Sequence, residues 1–360
     1  MIDRKAVMTM DTQEQISSFL KESGIDGAFI QKDENCRYIS GFTGSDSFLF
    51  LTPGSLYLLT DSRYTQQAVK EAPDFEVVDY QGHLADTAAR LAAEHGIRRL
   101  GVEEGMTWKQ YLAFHDAVKD CEMVFCQPDT LRRVKTAQEL ELMQEACRIS
   151  DEGFRKTVPF IKAGRTEREL RSILECAMLE EGSDGKSFDT IVASGERSAF
   201  PHGTATDKVV EDGDLITFDF GAIYRGYHSD ITRTVAVGSL TDRRRFIYDS
   251  VLACNEHIES IMKAGVKACD MDAEARRFLK EKELDIWFIH ALGHSVGLEI
   301  HENPVLAPRD HTVLEENMTE TVEPGVYIPG VGGVRIEDTT VILRDGIRIL
   351  TKFPKALITV

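Results

Sequence analysis

The sequence predicts two domains, an α/β unit at the N-terminal end and an α+β unit after it. Three observations carry this prediction. The chain has 360 residues, more than the roughly 50–200 typical of one domain. From Gln13 to Glu122 helix-like and strand-like segments alternate, the pattern of an α/β layer structure. Beyond Leu131 the pattern changes to pairs of helices followed by blocks of strands. The boundary is placed at residues 1–128 for the first domain and 129–360 for the second.

In the first domain, QEQISSFLKESGI has apolar residues at helical spacing and ends on glycine, and DGAFIQK follows as a short buried strand. SFLFLTPGSLYLLTD reads as a hairpin around Pro53-Gly54. RYTQQAVKEA is a helix, HLADTAARLAAEHGI an amphipathic helix closed by Gly96, and RRLGVE a strand. The second domain opens with TAQELELMQEACRISDEGFRKTVPFI, where Thr136 and Glu139 have the spacing of a capping box. TERELRSILECAMLEEG is its second helix, and FDTIVASG, DLITFDFGAIY and SDITRTVAVG are strands. Helices over 243–264 and 268–282 come next, then the strands of TETVEPGVYI, GGVRIEDTTVIL and GIRILT. This is a loose two-fold recurrence of helices followed by strands.

Composition narrows the function classes. The chain holds 60 acidic and 42 basic residues, a formal net charge of −18, which repels phosphate backbones and argues against nucleic acid as a partner. Seven scattered cysteines with no CxxC pair point to reduced thiols rather than a disulfide framework or structural zinc. The opening MIDRKAVMTMDTQEQ lacks the apolar stretch of a signal peptide, and no segment is long and apolar enough for a membrane helix. The expectation is a cytoplasmic protein with no membrane partner.

Three segments carry chemistry. In ITFDFGAIYRGYHSDITRT (216–234), strand alternation puts Ile216, Phe218 and Phe220 on one face and Asp219 on the other. A turn at Arg225-Gly226 can bring Asp230 beside Asp219, and like charges that close repel unless a cation lies between them. Taken alone, the segment fits a salt-bridged aspartate pair equally well. HALGHSVGLEIHENP (290–304) gathers His290, His294 and His301 in an apolar, glycine-spaced stretch, as metal ligands, proton carriers or satisfied core residues. TVEPGVYIPGVGGVRIEDTTV (321–341) holds Glu323 at a strand-to-turn junction and Glu337 in a later strand, either of which could pair with Arg335. Carboxylates in apolar frames need a partner or a metal. Four of them with imidazole suit two divalent ions better than one structural zinc.

FDTIVASGERSAFPHG, DFGAIYRGYHSDITRT, GHSVGLEIHE, TVEPGVYIPG and VRIEDT, in this order, resemble the M24 metallopeptidase family, most closely its Xaa-Pro aminopeptidase and Xaa-Pro dipeptidase (prolidase) branch. YISGFTGS and LLTDSRYTQQA resemble that branch's N-terminal domain. The resemblance implies a creatinase-like α/β N-terminal domain and a pseudo-symmetric pita-bread α+β domain enclosing two divalent ions. Manganese is the expected metal, with cobalt, zinc or iron as alternatives. It places the metal ligands on Asp219, Asp230, His294, Glu323 and Glu337, with Asp219 and Glu337 spanning both ions. It also brings His202, His290 and His301 to the active site, His202 and His301 gripping the peptide, and gives Arg335 a supporting, substrate-binding role. Glu323 is the implied proton shuttle in attack by a metal-bridged hydroxide on the carbonyl before proline.

The expected function is therefore an Xaa-Pro aminopeptidase acting on proline-containing peptides. The alternative is an Xaa-Pro dipeptidase, and a distant one is a non-catalytic pita-bread binding protein. The resemblance favours a homodimer. Three departures stand out: Ser295 follows the histidine ligand where glycine is frequent and is expected to narrow the pocket, Asn317 replaces a frequent glycine, and His228 is expected to be solvated.

Overall fold

A computed structural model describes residues 12–360, and the chain divides between Arg132 and Arg133 into two compact units. Strands of four or five residues form the first unit's sheet, the first three of them hydrophobic runs: β1 (Gly27–Ile30), β2 (Phe48–Leu51), β3 (Leu56–Thr60), β4 (Glu76–Asp79), β5 (Arg99–Val102) and β6 (Glu122–Phe125). The order is β4-β3-β2-β1-β5-β6. The pair β2–β3 is the expected hairpin around Pro53-Gly54, with Leu51 opposite Leu56. Helices α1 (Thr12–Glu22), α2 (Asp33–Ser40), α3 (Thr65–Glu71), α4 (Leu84–Glu94) and α5 (Trp108–Ala117) connect the strands. Separate apolar clusters around Leu49 and Leu58, and around Phe29 and Leu100, fill the space between helices and sheet.

The second unit repeats helices-then-strands twice. Helices α6 (Ala137–Thr157) and α7 (Glu167–Glu180) precede β7 (Gly185–Lys186), β8 (Ile191–Ser194), β9 (Leu215–Phe220), β10 (Ala222–Tyr224), β11 (Tyr227–His228) and β12 (Ile231–Ala236). Helices α8 (Asp242–Ile261) and α9 (Ala268–Lys280) precede β13 (Gly293–Ser295), β14 (Glu302–Leu306), β15 (Thr319–Val322), β16 (Gly325–Ile328), β17 (Gly332–Arg335), β18 (Asp338–Leu343) and β19 (Gly346–Ile349). Helix α6 starts where expected: the Thr136 hydroxyl accepts from Glu139 N at 3.3 Å, and the Glu139 carboxylate accepts from Thr136 N at 2.8 Å. At Gly153 an added Cβ would lie 2.6 Å from the Met178 side chain and 3.2 Å from its backbone N, so glycine lets α6 press against α7. Among the described residues no helix is long and apolar enough to cross a membrane.

The strands that matter for chemistry rest on apolar layers. Phe154 of α6 packs its ring 5.2 Å from Phe218, 5.1 Å from Phe220 and 4.8 Å from Phe353, centroid to centroid. Residues on either side of Asp219 thus anchor β9 from behind. Replacing Phe154 by Ala is expected to destabilise the second unit by about 3–5 kcal/mol. Urea unfolding followed by fluorescence reads this as a lower midpoint, and a loss below about 1 kcal/mol would contradict the packing described.

Candidate metal centre

The site is assembled from strand phase. In the antiparallel pair β9–β12, Asp219 lies opposite Thr232. Alternation sends Ile216, Phe218 and Phe220 into the core and turns Asp219 to the other face. The intervening turn at Arg225 (φ 49°) and Gly226 (φ 82°) places two consecutive residues in the left-handed region, the geometry of a type I′ hairpin. Asp230 immediately precedes β12. Its backbone is held by Thr339, whose hydroxyl accepts from Asp230 N at 3.3 Å and donates to Asp230 O at 2.7 Å.

Thr232 ties in Glu337. An isolated bridge joins the two residues, Glu337 N donating to Thr232 O at 3.1 Å. The Thr232 hydroxyl also donates to Glu337 Oε2 at 2.6 Å. Glu337 therefore sits in the step between β17 and β18 rather than inside a strand. His294 comes from β13, which can approach β15 because Gly293 has no side chain; a Cβ there would lie 2.0 Å from the Thr321 carbonyl. His294 N donates to Thr321 Oγ1 at 3.0 Å, and the Thr321 hydroxyl reaches Glu323 Oε1 at 3.3 Å.

The electrostatics call for a cation. Nδ1 of His294 faces the Ser295 carbonyl at 3.1 Å and so carries the ring proton. That leaves the Nε2 lone pair pointing at Glu323 Oε1 (3.4 Å) and Asp230 Oδ2 (3.6 Å). Lone pair against carboxylate is repulsive unless a proton or metal intervenes. Three more oxygens, Asp219 Oδ1, Asp230 Oδ1 and Glu337 Oε1, are buried without a hydrogen-bond partner. Burial pushes the Asp230 and Glu337 carboxyls well above the carboxylate range; the Glu337 charge adds to the shift of Asp230, and the Glu323 and Asp219 charges add to that of Glu337. Burial also raises Glu323 to about 8 and lowers His294 to about 4. Ligand atoms of Asp230, His294 and Glu337 all lie within 4.8 Å of one another. A divalent ion among them would supply the missing charge and invert these shifts.

Arg335, itself 4% exposed, is the nearest counter-charge, and four of its five N–H groups meet protein acceptors. Nε donates to Thr232 Oγ1 (3.1 Å), one terminal nitrogen to Tyr327 Oη (2.7 Å) and the Pro201 carbonyl (3.2 Å), and the other to Asp219 Oδ2. Tyr327 passes the network on to His290 Nε2 at 2.9 Å, while His290 Nδ1 faces the Ala291 carbonyl at 2.7 Å. Burial holds His290 down at about 3, a neutral ring. His202 and His301 are both exposed; the His301 ring lies edge-on to His294 with centroids 4.5 Å apart.

The departures resolve individually. Ser295 is fully buried, its hydroxyl 3.3 Å from Thr319 Oγ1. The hydroxyl is directed to Thr319 and to Lys135 Nζ, 3.4 Å away, rather than to the ligand atoms, so the expected narrowing of the pocket does not occur. Asn317 adopts a left-handed backbone, φ 68°. His228 is half-buried, and burial lowers it to about 4, so the solvated histidine expected from sequence is not found. Tyr327, Thr232 and Thr321 were not singled out from sequence. Their signal lay inside motifs already quoted, and Gly325 marked the first: a Cβ there would lie 2.4 Å from Tyr327 Oη.

Residues 141–344 match metallopeptidase family M24, and residues 13–134 match the creatinase/prolidase N-terminal domain. The chain belongs to metallopeptidase family M24. An Xaa-Pro dipeptidase of Pyrococcus furiosus is 38% identical over 96% of this chain and 99% of that protein. Among solved structures, an Xaa-Pro dipeptidase from Bacillus anthracis is 42% identical, with a TM-score of 0.94 over 97% of this chain and 99% of the other. An X-Pro aminopeptidase from Thermotoga maritima is 40% identical, with a TM-score of 0.88 over 98% and 100%. The M24 chain thus has the creatinase-like and pita-bread architecture expected from its motifs, and it is a peptidase of the Xaa-Pro branch. Membership implies divalent metal ions, which the orphaned oxygens and the Nε2 lone pair fit.

Two outcomes follow for the M24 chain. Manganese at about 100 times its Kd should stabilise the EDTA-treated protein by about 2.7 kcal/mol. Asp230→Asn should remove most of that gain while leaving the metal-free protein at least as stable, since one repelling charge is gone. Scanning fluorimetry with and without metal compares them, and equal gains would take Asp230 out of the site. In the metal-free state the folded Glu323 value of about 8 lies above the ordinary 4.5. Its contribution is full below about 4.5 and is lost as pH rises through about 8. The metal-free protein should therefore melt lower at pH 8.5 than at pH 5.5, and Glu323→Gln should shrink the difference.

Proposed function

We propose that this protein is an Xaa-Pro dipeptidase, hydrolysing the bond between any residue and a C-terminal proline. The observation that carries the reading is end-to-end similarity to proteins named Xaa-Pro dipeptidase, at 38% identity for a relative and 42% for a solved structure, combined with the cluster of buried carboxylates around His294. It displaces the aminopeptidase reading favoured from the motifs. That reading keeps one supporting observation, the similarity to the Thermotoga maritima X-Pro aminopeptidase.

Asp219, Asp230, His294, Glu323 and Glu337 would hold two divalent ions. When bound, such ions supply Lewis acidity and lower the pKa of water toward about 7. The protein's own part is positioning and proton transfer. Arg335 fixes Asp219 Oδ2, and Thr232 fixes Glu337 Oε2, so the remaining oxygens would be presented to the ions in one orientation. Arg335 in this reading holds the site together rather than binding substrate. Glu323, at the end of β15 and partly open to solvent, carries a proton to the leaving nitrogen. Proline's nitrogen leaves a tertiary amide and must be protonated on departure, so this transfer is required. His202 and His301, the exposed histidines, contact the peptide and its developing oxyanion. His290, held by Tyr327 and the Ala291 carbonyl, keeps the pocket wall in place.

Asp219→Asn and Glu323→Gln should each lower kcat at least 10³-fold with the circular dichroism spectrum unchanged; retained turnover in either would refute its role. A length series of Xaa-Pro, Xaa-Pro-Yaa and longer peptides, assayed with manganese, cobalt and zinc, tests the substrate class. Hydrolysis confined to the dipeptide supports the proposal, and cleavage of the longer peptides returns the protein to the aminopeptidases.

A further inference from the structure

Beneath the histidine-bearing strands lies a buried ion pair that the mechanism above does not use. Lys135 is 2% and Glu302 7% exposed, with Nζ 3.0 Å from Glu302 Oε2. The same ammonium lies 3.4 Å from Ser295 Oγ and 3.3 Å from the Arg133 carbonyl. Ser295 and Glu302 are cross-strand partners in β13–β14, at a point where the register shifts between His294 and Ser295. Each directly follows a histidine of the site: Ser295 follows His294, and Glu302 follows His301.

The carboxylate is built into the loop between those strands. Glu302 Oε1 accepts from Glu299 N at 3.1 Å, and Gly297 N donates to the Glu299 carbonyl at 3.0 Å. Gly297 has to be glycine for this, since a Cβ would lie 2.6 Å from Glu302 Oε1. Lys135 is fixed in turn from its backbone, N donating to the Asn317 carbonyl at 3.0 Å. Glu320 also feels the Lys135 charge, but its two oxygens are without hydrogen-bond partners and burial pushes its carboxyl well above the usual range. Glu302 is thus a carboxylate that the lysine meets in a direct ion pair.

A buried pair of this kind contributes little net stability compared with an apolar pair of the same volume. Its value is directional. His294 has an independent anchor, its amide on Thr321 Oγ1, whereas exposed His301 stands at the end of the loop that Glu302 organises. We propose that Lys135 and Glu302 are positioning residues that hold His301 over the metal site through the 297–302 loop. This rests on the role given to His301 above.

Lys135→Met alone leaves a buried charge unpaired and is expected to fold poorly, so the test uses Lys135→Met/Glu302→Gln, which neutralises both. In the manganese-loaded enzyme, with whichever Xaa-Pro substrate the wild type cleaves, kcat/KM should fall at least tenfold. The Kd for manganese, from calorimetry, should stay within threefold. His301→Ala added to the double variant should cost no more than twofold further, because the pair acts through that ring. Losses that multiply, or a manganese Kd that shifts tenfold, would overturn the proposal. A crystal structure of the double variant gives a readout independent of activity. The His301 ring should leave its edge-on contact with His294, and an unmoved ring sinks the idea even if the substrate assignment fails.

Discussion

Four carboxylates and an imidazole lone pair converge in a pocket where, among the described residues, Arg335 is the nearest counter-charge. Each of Asp219, Asp230 and Glu337 is at most 8% exposed, and Glu323 stands beside them at the edge. At separations of about 4 Å, a pair of like charges costs roughly 4 kcal/mol in an environment of intermediate dielectric. Proteins do not keep such arrangements without something that needs them. Much of the second unit can be read as the structure required to hold this repulsion in place: Phe154 behind β9, Thr339 clamping Asp230, Thr232 bridging Asp219 and Glu337, and Thr321 joining His294 to Glu323.

The same constraint explains why threonines recur around the site. A hydroxyl on a β-branched side chain has few rotamers, and it donates to one group while accepting from another. Thr232 accepts from Arg335 Nε and donates to Glu337. Thr321 accepts from the His294 amide and donates to Glu323. Charged side chains here would add to the repulsion, and apolar ones would leave the carboxylates free to rotate. Neutral, stiff donors fix oxygen positions without changing the charge count.

How far this was legible in the sequence depended on the distance over which each cause acts. The face of Asp219 follows from alternation within one strand, and its pairing with the strand after Asp230 follows from a turn of two left-handed residues, so both were readable locally. The capping box at Thr136 was readable for the same reason. A similar signal at Thr107 and Gln110 also exists, but it introduces α5, whose Trp108 is 72% exposed and whose apolar pattern does not mark a buried face. Helix α2 is a single eight-residue element with few apolar residues, too short for its period to stand out. What no local pattern could give was the direction of Arg335. Its partners Pro201, Asp219, Thr232 and Tyr327 are spread over more than a hundred positions. The side chain was as consistent with gripping a substrate as with holding the site.

That direction bears on how peptide length is read. A dipeptide ends in a carboxylate next to proline, and discriminating it from a longer chain requires donors free to meet that charge. Four of the five Arg335 N–H groups are given to Asp219, Thr232, Tyr327 and the Pro201 carbonyl. Releasing one of them would uncover a buried acceptor, at a cost of about 1–3 kcal/mol. On the proposed dipeptidase reading, length selection would then fall to groups other than Arg335. That would be a physical reason for one fold to accompany both dipeptidase and aminopeptidase names among structures about equally similar to this chain.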